Sequence, residues 1–253
     1  MAIFTIADLH LSTNTKTDKS MEKFGVRWTN YRARLEANWR RVVSDEDYVI
    51  CPGDISWATT LEESVSDFAF LDSLPGKKLI GKGNHDFWWN TAAKMNRFFC
   101  EHGFTSLSIL YNNAYLLPGA VVCGTRGWFS DKKIQNTVGE VDFDKMVARE
   151  TGRLRLSLDA AKQLQNAHAA ESGKKLPICA FLHFPPVWMD FVSVPFLELL
   201  REYDVRVCAF GHIHNVTVLP PEVTAAAPPQ FLFCAADYLE FLPKLIALPP
   251  QDP

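Results

Sequence analysis

The feature that most constrains this chain is a short apolar run that ends at two glycines and leads straight into three polar side chains. The sequence reads Leu-Ile-Gly-Lys-Gly-Asn-His-Asp over residues 79–86. The two glycines can adopt backbone angles that other residues rarely take, so the amide, imidazole and carboxylate that follow can turn into a common space. An ordinary loop capped by Asp86 would explain the same residues. The rest of the chain has to supply partners for Asn84 and His85 before a reactive site is indicated.

Four other strand-like apolar runs end in side chains of the same kind. These runs deliver Asp8 and His10, Asp54, His183, and His212 and His214. With the histidine of the opening motif, five of the seven histidines of the chain lie at such ends. Histidines buried by chance would not recur at strand ends. In open α/β folds the ligand site lies beyond the carboxyl ends of the strands, so we expect these side chains to converge.

Hydrophobic periodicity predicts helices that alternate with short strands. Helices are expected at residues 31–43, 61–74, 91–102, 142–169 and 195–202, and strands at residues 2–7, 48–51, 78–80, 176–182, 205–210, 231–235 and 241–248. Residues 108–125 are expected to form strands joined by turns. This order is typical of an α/β fold. With 253 residues, 47% of them hydrophobic, the chain can bury one sizeable core, so we expect a single domain over residues 1–253.

The composition argues against several other classes of protein. A net charge of -3 and a pI near 6.2 provide no basic surface for nucleic acid. No apolar run approaches the roughly 18 residues that a membrane helix needs. The six cysteines form no CxxC pair, and we expect free thiols, most of them buried in strands. Because the chain opens directly on a predicted strand, we expect a cytoplasmic protein.

The motifs that carry the strand-end residues resemble, in the same order, those of the calcineurin-like metallophosphoesterase superfamily. They are Asp8-Leu9-His10, Gly53-Asp54, Gly83-Asn84-His85-Asp86, His183 and Gly211-His212-Ile213-His214, and they span residues 8–214. The resemblance implies a four-layer αββα sandwich, in which helices flank two mixed β-sheets and a dinuclear metal site lies on loops at one end. It also implies two ligand sets that share Asp54 as a bridge. One set is Asp8, His10, Asp54 and His214, and the other is Asp54, Asn84, His183 and His212.

One position departs from the pattern of the family. Many relatives carry a carboxylate three residues after the bridging aspartate, whereas this chain has Trp57 there. An indole cannot bind a metal ion, but this position is not a usual ligand. The departure therefore bears on the substrate group and not on the metal site.

The residue types of these ligand sets fit a particular chemistry. Imidazole nitrogens with carboxylate and amide oxygens, and no thiolate, suit borderline divalent ions. We expect two ions per chain, manganese first, with iron or zinc as the alternatives. Two such ions about 3.5–4 Å apart can lower the pKa of a bridging water and clamp both oxygens of a phosphoryl transfer, so we expect a bridging hydroxide as the nucleophile. By the resemblance, His85 steadies the phosphate or protonates the leaving group, and Asp86 orients its imidazole.

Selectivity has to come from residues around the metal site, because any phosphate ester fits two cations. The polar segment at residues 12–23 is expected to be either a lid or a surface loop. Arg126, in the turn at residues 124–128, is expected to bind a substrate oxygen, with a structural ion pair as the alternative. Trp88 is expected to lie against the organic part of the substrate, although most of the aromatic residues near the motifs are expected to pack the loops.

The sequence thus predicts a metal-dependent phosphohydrolase that cleaves a phosphomonoester or phosphodiester, with a small organic or nucleotide-like substrate. The alternatives are a phosphoprotein phosphatase, a nuclease, and a non-catalytic scaffold of the same fold. The acidic pI weighs against nucleic acid, and the complete set of motif residues weighs against a scaffold. We expect a small-molecule phosphate ester as the partner, and neither nucleic acid nor a membrane.

Overall fold

The computed structural model describes residues 1–14, 19–128, 143–225 and 228–248. The strands are β1 (Ile3–Thr5), β2 (Tyr48–Cys51), β3 (Lys77–Ile80), β4 (Leu107–Ile109), β5 (Asn113–Leu117), β6 (Ala120–Thr125), β7 (Ile178–Leu182), β8 (Val187–Trp188), β9 (Phe191–Val192), β10 (Val205–Phe210), β11 (Gln230–Phe233) and β12 (Lys244–Leu245). The helices are α1 (Tyr31–Val42), α2 (Val65–Ser73), α3 (Ala92–Glu101), α4 (Phe143–Ser172), α5 (Val194–Glu202) and α6 (Pro221–Thr224).

The chain divides into two units, each with its own five-stranded sheet. The first unit comprises Met1–Ile109, His212–Val216 and Cys234–Ile246. The second comprises Leu110–Gly211, Thr217–Phe233 and Ala247–Pro253.

The sheet of the first unit has the strand order β12-β1-β2-β3-β4. Strands β1 to β4 are parallel and β12 is antiparallel to β1. Parallel neighbours need crossover connections, and α1, α2 and α3 lie between successive strands in the sequence. In the register, Phe4 lies opposite Val49, and Val49 lies opposite Lys78. The parallel arrangement brings the carboxyl ends of β1, β2 and β3 to the same edge.

Helix α1 shows how sequence periodicity fixes the packing of this unit. Its buried residues are Tyr31, Leu35 and Trp39, which recur every four positions and therefore lie on one face. The indole N–H of Trp39 donates to the carbonyl of Pro75 at 2.9 Å, so this bulky ring is buried with its polar atom satisfied. The helix predicted at residues 31–43 is confirmed, and Leu35 and Trp39 lie on its buried face.

The sheet of the second unit has the strand order β11-β10-β7-β6-β5. Strands β5 and β6 form an antiparallel hairpin, and the other neighbours are parallel. Helix α4 connects β6 to β7 and packs on the β5–β6 hairpin. A separate antiparallel pair consists of β8 and β9. The expectation of an α/β fold with two mixed sheets and accompanying helices is confirmed.

Several predicted boundaries shift for local reasons. The helix expected at residues 61–74 begins at Val65, because the N–H and hydroxyl of Thr59 bind the Glu63 carboxylate at 2.9 and 2.6 Å and favour a turn. Helix α3 begins one residue late because the Thr91 hydroxyl caps it by accepting from the N–H of Lys94. The two closing strands are shorter than expected.

The segment at residues 12–23 is described only in part. Residues 15–18 lie outside the described residues, so the lid hypothesis stays a prediction. The later part leads into short 3-10 helices at Met21–Phe24 and Val26–Trp28, in which Met21 and Trp28 are buried. Among the helices of the described ranges, none is long and apolar enough to cross a membrane.

Candidate metal centre

Four of the strand-end residues have strained backbones. Asp8, His10, Asp54 and His212 have φ angles of 59°, 45°, 52° and 74°. Residues other than glycine rarely adopt positive φ, and each such residue costs about 1–3 kcal/mol when the surrounding structure imposes it. Such strain concentrates at functional sites, and here it falls on residues that the motif pattern selected.

The first unit brings together one of the two expected ligand clusters. Ligand atoms of Asp8, His10 and His214 all lie within 4.8 Å of one another. The Nε2 atoms of the two histidines are 3.0 Å apart, and the N–H of His212 donates to Oδ2 of Asp8 at 2.8 Å. Asp8 and His10 are fully buried. Three donor atoms of two chemical types therefore face a space that suits a single cation.

Asp54 lies beside this cluster. Its Oδ2 is 3.7 Å from Nε2 of His10, and its Oδ1 accepts from the N–H of His85 at 2.8 Å. Ligand atoms of Asp54 and His212 also lie within 4.8 Å of each other. The backbone N–H of Asn84 also bonds to this carboxylate, which partly opposes the rise that burial causes in the pKa of Asp54. Asp54 is thus placed between residues of both expected ligand sets.

The sequence interpretation missed Asp237. Its buried carboxylate accepts from Nδ1 of His214 at 3.0 Å and from the N–H of Asn215 at 2.8 Å. With Nδ1 held in this way, the lone pair of a neutral His214 is on Nε2, which faces His10. A signal existed, because Asp237 follows the predicted closing strand as the other site carboxylates follow theirs.

The role expected for Asp86 is wrong. Its carboxylate accepts from the backbone N–H groups of Asp54 (2.8 Å), Ile55 (2.8 Å), Ser56 (3.4 Å) and Gly83 (2.7 Å), and from the indole of Trp88 (3.0 Å). These five donors occupy both oxygens, so the carboxylate does not orient the His85 imidazole. Asp86 instead holds the two loops that carry Asp54 and His85 in fixed positions.

Only glycine fits where these two loops meet. A methyl group on Gly83 would lie 2.0 Å from Oδ1 of Asp54, and one on Gly53 would lie 2.4 Å from the nitrogen of Gly83. Gly53 also has a φ of 105°, which favours glycine. The predicted turn at the glycines is therefore a close approach of two backbones.

His85 lies among aromatic rings. Its ring centroid is 5.7 Å from that of His10, 4.5 Å from that of Trp57 and 6.2 Å from that of Phe87. Burial lowers the pKa of His85, and the charge of His214 lowers it further. Trp57 also stacks on His10 with a centroid distance of 4.9 Å and an interplanar angle of 22°. The residue that replaces the family carboxylate thus covers one face of a candidate ligand.

Trp88 is not placed to bind a substrate. It is 2% exposed, its indole donates to Asp86, and its ring packs edge-on against Phe68 with centroids 4.8 Å apart. The expectation that Trp88 lies against the substrate is therefore wrong, and its role is to pack the loop.

The second unit holds His183 and Arg126. Backbone N–H groups of His183 and Phe184 both donate to the carbonyl of Arg126 at 3.0 Å. The Arg126 side chain pairs with the buried Glu150 at 3.0 Å and lies 4.6 Å from the ring of Trp128. This is the structural ion pair that the sequence left as the alternative, and it argues against Arg126 as a substrate ligand.

The electrostatics of the cluster fit a bound cation. Burial raises the pKa of Asp8 to about 7 and the pKa of Asp54 above its ordinary range. Burial also lowers the pKa of His10 and lowers that of His212 to about 3. For His214, burial alone would lower the pKa, but the hydrogen bond to Asp237 and the charge of Asp8 raise it. Buried carboxylates next to uncharged imidazoles are the donor set that a divalent ion stabilises.

Comparisons with known proteins agree with the geometry. Residues 1–216 match the family model for calcineurin-like phosphoesterases. Phosphopantetheinyl hydrolase from Mycobacterium tuberculosis is 13% identical with a TM-score of 0.52, and the match covers 98% of this chain and 96% of that one. A protein of unknown function from Aquifex aeolicus is 12% identical with a TM-score of 0.50, and coverage is 96% and 95%. At such identities the likeness is one of fold. A search of curated proteins found no match.

Proposed function

The chain belongs to the calcineurin-like phosphoesterase family, and from that premise we propose that it is a metal-dependent phosphohydrolase acting on a small organic phosphate ester. The observation that carries the proposal is the buried cluster of Asp8, His10 and His214, with Asp54 beside it. Its backbone strain and its positioning carboxylate, Asp237, are features of a site built for a ligand.

We assign the residues to two metal ions as the family pattern implies. Asp8, His10, Asp54 and His214 would hold one ion, and Asp54, Asn84, His183 and His212 would hold the other. Manganese is the first choice, with iron or zinc as alternatives. Bound divalent ions would activate a water molecule and neutralise the charge of the phosphate group.

The protein's own residues then have separate tasks. In the hydrolysis, the oxygen of water forms a bond to phosphorus, the bond from phosphorus to the organic oxygen breaks, and that oxygen takes up a proton. For His85 we propose that it steadies a phosphate oxygen or gives the leaving oxygen a proton, and its position next to Asp54 and close to His10 supports this role. Asp86 keeps the two loops fixed, and Asp237 keeps His214 in the tautomer that a ligand needs.

The test separates metal binding from chemistry. Purified protein loaded with manganese, iron or zinc is assayed on phosphomonoesters and phosphodiesters, and bound metal is measured by elemental analysis. Asp54→Asn should lower metal content and activity together. His85→Ala should keep its metal and lose about 10²–10⁴-fold in kcat.

Two exposed residues of the first unit provide the matched controls, Asp45→Asn and His102→Ala, which should leave both measurements unchanged. Full activity in Asp54→Asn would contradict the bridging assignment. If the metal-loaded protein hydrolysed none of the esters, the proposed function would be overturned.

A further inference from the structure

Phe87 stands in solvent between two buried residues. Its side chain is 62% exposed, whereas Asp86 and Trp88 on either side are each 2% exposed. Single exposed apolar side chains are common on protein surfaces and need no explanation by themselves. What distinguishes Phe87 is its position, because its ring meets the ring of His85 edge-on, at 6.2 Å and 80°.

The fold holds Phe87 in this position. Asp86 is fixed by five hydrogen bonds, and Trp88 is fixed by its indole bond and by Phe68. The N–H of Phe87 donates to the carbonyl of His85 at 2.8 Å, and the N–H of Trp89 donates to that of Asp86 at 3.1 Å. The backbone on both sides is therefore anchored, and it holds the Phe87 side chain on the exposed side of this turn.

Trp57 lies against the same histidine. Its ring is 4.5 Å from that of His85 at 52°, and it is kept in place by stacking on His10. Trp57 is half-buried, so part of the indole is also accessible. Besides the ring of His10, two uncharged aromatic rings, Trp57 and Phe87, thus contact His85.

His85 contacts both polar and apolar parts of this site, since its ring meets His10 as well as Trp57 and Phe87. Asp8, Asp54 and the histidines match a phosphate and its cations, whereas Phe87 and Trp57 match an apolar surface. His85 lies between the two and is the residue placed to meet the leaving oxygen. The apolar surface of Phe87 and Trp57 beside His85 would then contact the organic group attached to the leaving oxygen.

We propose that Phe87 and Trp57 bind the organic group of the ester, and that the preferred substrates carry a flat, apolar group, aryl or heteroaryl, on the scissile oxygen. This inference rests on the proposed function, since it names the substrate class of the same site. Phe87 takes the role that we predicted for Trp88, because the loop turns the side chain of Phe87 outward and that of Trp88 inward.

The experiment compares an aryl ester with an alkyl ester in matched variants. Values of kcat/KM are measured for phenyl phosphate and glycerol phosphate with the wild type, Phe87→Ala and Phe24→Ala. Phe24 is the control because it is 63% exposed in a short 3-10 helix and makes no ring contact with a site histidine in the described part of the chain. Phe87→Ala should lower kcat/KM for phenyl phosphate by about 5–100-fold, as expected for loss of a stacked ring, and change the value for glycerol phosphate less than about twofold. Phe24→Ala should change neither.

A binding measurement removes any dependence on turnover. Inhibition constants of phenylphosphonate and methylphosphonate are determined with the same proteins, and only the phenyl compound should bind more weakly to Phe87→Ala. Equal effects of Phe87→Ala on the aryl and alkyl compounds would overturn the inference, as would an equal effect of Phe24→Ala. If the wild type hydrolyses neither phenyl phosphate nor glycerol phosphate nor any other phosphate ester, the proposed function itself is wrong. If it hydrolyses both and Phe87→Ala does not discriminate, this inference alone fails.

Discussion

At the scale of single residues, Asp237 determines how His214 can act as a ligand. Its carboxylate holds Nδ1 of His214 at 3.0 Å and also binds the N–H of Asn215. Substituting the partner of a ligating histidine typically lowers metal affinity about 10–100-fold. We therefore expect Asp237→Asn to weaken manganese binding by that factor, as measured by competition titration with a chelator.

The matched control for this substitution is Glu240→Gln, which changes an exposed side chain three positions further along. It should bind manganese as the wild type does. An Asp237→Asn protein with unchanged affinity would show that His214 needs no support, or that it is not a ligand.

At the scale of elements, the loops after β2 and β3 are joined backbone to backbone. Gly53 and Gly83 allow the approach, and Asp86 bonds to both loops. We expect Gly83→Ala to force the loops apart, because its new methyl group would lie 2.0 Å from Oδ1 of Asp54. Overpacking of this kind costs about 1–3 kcal/mol in unfolding free energy, and the shift of Asp54 should also lower metal content. Urea denaturation and elemental analysis measure the two effects.

Gly152 provides the matched control for the loop glycine. It lies inside α4, where an added methyl group would meet no atom within 4 Å among the described residues other than its chain neighbours and the backbone of its own helix. Gly152→Ala should stabilise the protein by about 0.5–1 kcal/mol, since alanine is the better helix former. If Gly83→Ala were as stable and as metal-loaded as the wild type, the close approach of the loops would not be required.

At the scale of the whole molecule, Asp47 should make the stability of the protein depend on pH. The Asp47 carboxylate accepts three hydrogen bonds. Its Oδ1 accepts from the N–H of Ala2 at 2.6 Å, and its Oδ2 accepts from the N–H and the hydroxyl of Ser44 at 2.9 and 2.7 Å. Burial acts to raise the pKa of Asp47, but these hydrogen bonds outweigh it and leave the pKa below its ordinary value of 3.8. The ionised form is therefore favoured by folding. Its contribution is present above the ordinary pKa and is lost as the pH falls through the native pKa.

Asp47→Asn tests this linkage. Hydrogen bonds to a charged group contribute about 1.5–3 kcal/mol, so the variant should lose about that much unfolding free energy at neutral pH. The difference from the wild type should shrink as the pH is lowered below about 4. Denaturation curves over a pH series measure it, with Asp45→Asn as the exposed control in the same turn. A deficit that stays constant down to the lowest pH would mean that the carboxylate charge contributes nothing.

The sequence by itself determined the class of fold and the identity of the strand-end residues. Apolar runs of three to seven residues, each followed by a polar side chain, indicate where the strands stop, and helical periodicity predicts a single buried face for α1. The strand-end rule then predicted that Asp8, His10 and Asp54 lie together, because they follow the neighbouring parallel strands β1 and β2, whose ends share an edge. His214 follows β10, a strand of the other sheet, so this rule does not account for its place in the cluster.

Only the tertiary structure decided which way the side chains near those ends point. Asp86, Phe87 and Trp88 are consecutive, and no local signal distinguishes a buried carboxylate that binds two loops from one that orients a neighbouring imidazole. The choice depends on donors that are some 30 positions away in the sequence, such as the N–H of Ile55 at 31 positions. The same holds for the ion pair of Arg126 with Glu150 and for the support of His214 by Asp237. Backbone periodicity is a local property, whereas these partners meet only after the chain has folded. The sequence therefore offered an ion pair of Arg126 as an alternative and marked Asp237 by its place after a strand, but it could not assign the partner of either residue.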